Sequence, residues 1–294
     1  MVISIFKKFK PKKLPKLLLD FAYWELLIPG YRTPARIIFG NTIGYRKNIF
    51  LRLSNFKRSL NFKKSSNTSL NKTIQKLNKE GYLRPNKLKD KTIKPVILEY
   101  KKSIEDKTKI YSSPDRSGQI FIKDPLINMP GIMNVLKELD PILKEYHQGK
   151  HYISRVNAWR NQHVSSKGQN RDVGLSNAFH NDGIGGRNIS VFVLLSDDVT
   201  RDSGATKFLN RSESVHFTRD IRYFSRRFVP KNLIDKIYEK ALYFEGDSGD
   251  VCFLNVDMCL HGASIPSKGR KRDILSFMSS SYKPKKEEYS LEFS

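Results

Sequence analysis

The chain has 294 residues, room for one large domain or one domain with an extension, and its 38% hydrophobic and 11% aromatic content excludes wholesale disorder. Two cysteines, Cys252 and Cys259, are too few for a disulfide framework and fit reduced thiols in a cytoplasmic setting. The formal net charge of +25 is uneven, since residues 1–110 carry 27 Lys/Arg against 7 Asp/Glu while the rest carry 27 against 22.

Residues 1–69 read as a basic, partly helical extension punctuated by Pro11, Pro15, Pro29, Gly30 and Pro34. Its apolar run, Leu17 to Pro29, is interrupted by Asp20 and Glu25 and falls short of the ~20 residues of a membrane span. Lys7, Lys8, Lys10, Lys12, Lys13 and Lys16 adjoin Leu17, Leu18, Phe21 and Trp24, a pattern suited to an anionic membrane surface. Packing of the same run onto the main domain is the plainer alternative. Nucleic acid is a further partner that so basic a region can attract.

A main domain is expected from residue 70, where Leu70, Ile74 and Leu77 fall at helical spacing and Gly81 follows the end. A second helix is expected over 131–147, with Pro141 kinking or dividing it. A third is expected over 231–243. Segments 151–159, 188–196, 204–209, 249–256 and 272–282 are β-branched or aromatic and bounded by turn residues, which reads as strands. Helices before strands point to an antiparallel sandwich or jelly roll flanked by helices.

Two short texts carry the chemistry. Residues 179–183 read F-H-N-D-G, placing His180 and Asp182 two apart, on one side if the segment is extended. Residues 249–261 run from a strand-like G-D-V to His261, and Arg272 lies eleven residues farther. Two histidines and a carboxylate form the ligand set of non-haem Fe(II) oxygenases, with positions open for substrates. Arg272 suits a carboxylate cosubstrate, because a guanidinium fork matches a carboxylate in two hydrogen bonds. Asp257 and Cys259 share the parity of His261 as rival ligands, whereas His147, His151, His163 and His216 have no partner at ligand spacing.

The order of these signals, with Ile189–Val199 and Asp202-Ser203-Gly204-Ala205-Thr206 between them and Leu77–Tyr82 ahead, resembles the phytanoyl-CoA dioxygenase family of Fe(II)- and 2-oxoglutarate-dependent oxygenases. The resemblance covers about 70–282 and is specific over 177–210 and 246–277; residues 283–294 are left as a tail. It implies a mainly β fold with flanking helices, the double-stranded β-helix or cupin-like jelly roll. It also implies Fe(II) on His180, Asp182 and His261, and 2-oxoglutarate anchored by Arg272, with Arg270 the rival of like parity. Ser276 is expected to add a hydroxyl to that anchor. Asn157, on a face with Arg155 and Trp159, is expected either to touch the cosubstrate or to make a structural hydrogen bond.

Two departures stand out: Ala263 occupies a position where the family often has a hydroxyl, and Val193 one where some relatives have tryptophan. Asp182 favours hydroxylation, since related halogenases lack the carboxylate. The expected reactants are dioxygen and a small-molecule substrate. A jelly roll that binds without catalysis, or an oxygenase acting on nucleic acid, is the alternative.

Overall fold

The computed structural model describes residues 68–113, 118–164, 177–180, 182, 188–214, 231–256, 258–281, 283 and 291–293. The basic extension up to residue 67, Asn181, the Gly183–Gly186 rim, His216 and Asp257 lie outside the described residues. Helix α1 (Thr68–Glu80) buries Ile74 and Leu77 and stops at Gly81, whose φ of +80° and N–H bond to the Leu77 carbonyl close its last turn. Strand β1 (Tyr82–Leu83) follows, and then helix α2 (Asp90–Glu105), which sequence reasoning missed. Its lysines and Pro95 mask a buried stripe of Ile93, Val96, Tyr100 and Ile104 at helical spacing.

Strands β2 (Ile110–Ser112) and β3 (Gln119–Ile122) lead to the short helix α3 (Pro125–Asn128). Helix α4 (Ile132–His147) runs through Pro141 as one element, so the expected division does not occur. Eight side chains of its inner face, among them Val135, Leu139, Leu143 and Tyr146, are buried and hold it together across the missing N–H.

β4 (His151–Gln162), β5 (Ile189–Leu194), β8 (Val251–Leu254) and β10 (Lys271–Ser280) form the centre of the main sheet. Its order is β1-β8-β5-β10-β4-β3-β2, with β11 (Leu291–Phe293) added to β4. A smaller sheet joins β7 (Leu242–Phe244), β6 (Thr206–Phe208) and β9 (His261–Ala263) in that order. All the pairings are antiparallel. Helix α5 (Lys231–Lys240) ends before β7, so the helix expected over 231–243 is helix followed by strand.

The period of two along β10 sorts its side chains. Leu275 and Phe277 join Ile153, Val191 and Phe253 in the core beneath helices α1, α2 and α4. Ile274 and Met278 join Leu194, Phe208 and Phe244 in the core between the sheets. Arg272 and Ser276 share that second parity and therefore point between the sheets. The intervening Asp273 points towards the helices, where it accepts from Tyr100 Oη at 3.0 Å and from Arg160 Nε and Nη2 at 2.7 and 2.9 Å. The result is a mainly antiparallel β architecture with helices α1, α2 and α4 packed on the main sheet and α5 against the smaller one. Among the described residues no helix is long and apolar enough to cross a membrane.

Asp273→Ala is expected to leave Arg160 and the buried Tyr100 hydroxyl without their acceptor and to destabilise the protein by about 3 kcal/mol, read as a lower urea midpoint at unchanged m-value.

Candidate metal centre and cosubstrate pocket

His261 opens β9, and His180 lies beside it in a two-residue bridge: each backbone N–H donates to the other's carbonyl, at 2.8 and 2.9 Å. Asp182 N–H donates instead to the Val256 carbonyl at 3.0 Å. The regular strand expected to carry His180 and Asp182 is thus replaced by a segment held to two different partners. The outcome for the side chains is nonetheless convergence. Asp182 Oδ1 lies 3.6 Å from His180 Nε2 and 3.7 Å from His261 Nε2. The three residues form the one group among the described residues whose ligand atoms all lie within 4.8 Å of one another.

The backbone sets the histidine tautomers. His180 Nδ1 lies 2.8 Å from the Ala178 carbonyl and His261 Nδ1 lies 3.0 Å from the Cys259 carbonyl. A carbonyl only accepts, so both Nδ1 atoms are donors, and both Nε2 atoms face Asp182. That is the arrangement a divalent metal requires of imidazole, with the second ring nitrogen tied down. Gly262 permits it, because a Cβ there would stand 2.7 Å from the Ala178 carbonyl oxygen that fixes His180.

The triad lines a cavity of about 210 Å³ between the two sheets. Arg272, Ser276 and Asn157 line the same cavity, together with Trp159, Phe192 and Met278. Arg270 is exposed in the turn before β10 and does not reach it. Asn157 reaches the cavity by way of a β-bulge, where Arg155 and Val156 together stand opposite Phe277 and Arg155 takes φ +50°. Arg155 and Trp159 also line the cavity, as the shared face expected for them requires.

Arg272 is completely buried. Burial pushes its guanidinium down to about 9, against a partial rise from the neighbouring Asp273. Nη1 donates to Thr206 Oγ1 at 2.6 Å, and Nε has no hydrogen-bond partner among the described residues. Asp273, already engaged by Arg160, does not pair with it. Arg272 therefore stays cationic at neutral pH, and among the described residues no carboxylate forms an ion pair with it, so an anion entering the cavity gains both charge and hydrogen bonds.

Sequence reasoning missed Thr206. It stands in register with Ala263, so the hydroxyl absent at 263 is supplied across the strand pair. Its signal was the D-S-G-A-T text, read only as part of the family resemblance and of the strand expected over 204–209. Val193 belongs to the core under the helices and faces away from the cavity, so its departure does not touch the site. His147 and His151 are buried and stacked on each other near β11, apart from the triad, and His163 makes a ring hydrogen bond to the Pro266 carbonyl. Cys259 is buried with its thiol directed to the Gly81 carbonyl, which removes it from the ligand set.

No protein-family model matches the chain, and no curated protein matches it. Solved structures do. EctD from S. alaskensis with bound Fe superposes with a TM-score of 0.54 at 12% identity, over 74% of this chain and 80% of that one. The carbocyclase SnoK from nogalamycin biosynthesis, described as non-haem and alpha-ketoglutarate-dependent, gives 0.53 at 12% identity over 71% and 82%. The epimerase SnoN, in complex with Fe3+, alpha ketoglutarate and nogalamycin RO, gives 0.52 at 11% over 72% and 83%. At such identities the likeness establishes the fold, a jelly roll of the kind these iron- and alpha-ketoglutarate-dependent enzymes share.

Gly262→Ala is expected to push the Ala178 carbonyl away, free the His180 ring and weaken divalent-metal binding by about tenfold, measured by titration calorimetry with Mn(II).

Proposed function

We propose that the chain is an Fe(II)- and 2-oxoglutarate-dependent oxygenase of the phytanoyl-CoA dioxygenase type, hydroxylating a small organic or lipid-like substrate. The observation that carries this reading is one cavity holding both halves of the required chemistry. Two tautomer-fixed imidazoles and a carboxylate provide a facial ligand set, and an uncompensated buried arginine provides the anion anchor. Iron bound there would supply the redox chemistry, coupling oxidation of the substrate by dioxygen to conversion of 2-oxoglutarate into succinate and carbon dioxide.

The residues' own tasks follow from their positions. His180, Asp182 and His261 would hold the metal at the wall of the cavity. Arg272, steadied by Thr206, neutralises the distal carboxylate of 2-oxoglutarate in a site shielded from water. Ser276 and Asn157 supply short polar contacts on the same wall, while Trp159, Phe192 and Met278 offer apolar surface to the carbon skeleton of the substrate. The catalytic unit on this reading is 70–282. The neighbours of this fold include an epimerase and a carbocyclase, and the carboxylate ligand Asp182 favours hydroxylation over halogenation.

Anaerobically iron-loaded protein is expected to release succinate from 2-oxoglutarate once oxygen is admitted. His180→Ala and Asp182→Ala should abolish that release. Arg272→Ala should raise the 2-oxoglutarate concentration required by roughly 10- to 100-fold, the loss of a charged hydrogen-bonded anchor. A wild-type protein that binds neither iron nor 2-oxoglutarate would instead be a jelly roll that binds other ligands without this chemistry.

A further inference from the structure

Behind the metal ligands, on the far side of the small sheet, sits a lysine that the proposed reaction does not use. Lys207 lies in β6 between Thr206 and Phe208, in register with Gly262, and is 4% exposed. Its ammonium donates to Tyr238 Oη at 2.7 Å and stands 5.0 Å from the Phe179 ring centre and 4.8 Å from that of Tyr238. Among the described residues no carboxylate pairs with it, and burial pushes its pKa down to about 8. An apolar side chain would fill this place without desolvating a charge, so the lysine opposes stability where it stands. Local choices of that sort concentrate where function requires them.

The surroundings identify the function served. Phe179, Leu209, Ile237 and Leu260 make a small core of their own under helix α5. Phe179 directly precedes His180 and Leu260 directly precedes His261, so this core is the backing of both ligands. The backbone of the His180 segment is tied by the bridge to His261 and the Asp182 bond to Val256. The Phe179 ring, set edge-on against Tyr238 at 5.4 Å, is its side-chain anchor, and Lys207 closes the anchor from below. An ammonium over an aromatic face is attracted to it more strongly the drier the place.

We propose that Lys207 is a positioning residue for the metal site: clamped between Tyr238 and Phe179, it fixes the segment that delivers His180 to Asp182 and His261. The proposal rests on the metal-binding reading above and goes beyond it in assigning a part to a residue that touches neither metal nor cosubstrate.

The test is Co(II) binding, followed by its visible absorption and by calorimetry, in the wild type, Lys207→Met and Tyr238→Phe, with urea unfolding of each metal-free protein alongside. Lys207→Met is expected to bind Co(II) about tenfold more weakly with an altered absorption envelope, yet to unfold at an equal or higher urea concentration. Tyr238→Phe keeps the ring and removes only the ammonium's hydrogen bond, and is expected to weaken Co(II) binding by about threefold. Affinity and spectrum unchanged in Lys207→Met would overturn the proposal, as would metal affinity lost only in step with stability. If Lys207→Met does not fold, wild-type affinity in Tyr238→Phe overturns it. A wild type that binds no Co(II) would instead bring down the metal-site reading itself.

Discussion

The site depends on a pair of backbone hydrogen bonds. His180 and His261 exchange N–H and carbonyl with each other, and this one bridge brings residues eighty-one positions apart to adjacent places. Their ring centres are then 4.5 Å apart, and Asp182 falls within reach of both Nε2 atoms. The bridge can form only because Gly262 has no side chain to meet the Ala178 carbonyl. That same carbonyl sets the tautomer of His180. Backbone geometry, side-chain orientation and ligand chemistry are thus fixed by one close approach of two strands.

Charge is distributed with equal economy around β10. Neighbouring residues of that strand point to opposite faces, so Arg272 and Asp273 never pair although they adjoin in sequence. Asp273 is committed to Arg160 and Tyr100 on the helix side. Arg272 is left on the cavity side with one hydroxyl from Thr206 and a buried positive charge. A buried cation of this kind is tolerable when an anion is expected, and the cavity beside the triad is where that anion would arrive.

Much of this was legible in the sequence because it follows the period of two. The apolar runs of β5, β8 and β10, the parity that groups Arg272 with Ser276, and the H-x-D text followed by a distant histidine all reflect local rules. Helix α2 was missed because Pro95 and its lysines outweigh a stripe that tertiary packing rewards. Pro141 failed to divide α4 for the same reason. The bulge at Arg155 has no signature, since a non-glycine at φ +50° violates the preference one would use to find it. The roles of Thr206 and Lys207 escaped for another reason: they are set by which strands lie beside β6, and register between distant segments is not written in either of them alone.

The central claim is that one cavity takes a divalent iron and a keto acid together. Its most direct measurement is the visible absorption of the protein under strict exclusion of oxygen, with Fe(II) and 2-oxoglutarate added separately and then jointly. The account predicts a charge-transfer band that needs both components, disappears in Asp182→Ala and requires a higher 2-oxoglutarate concentration in Arg272→Ala. Fe(II) binding with no such band at saturating 2-oxoglutarate would contradict it.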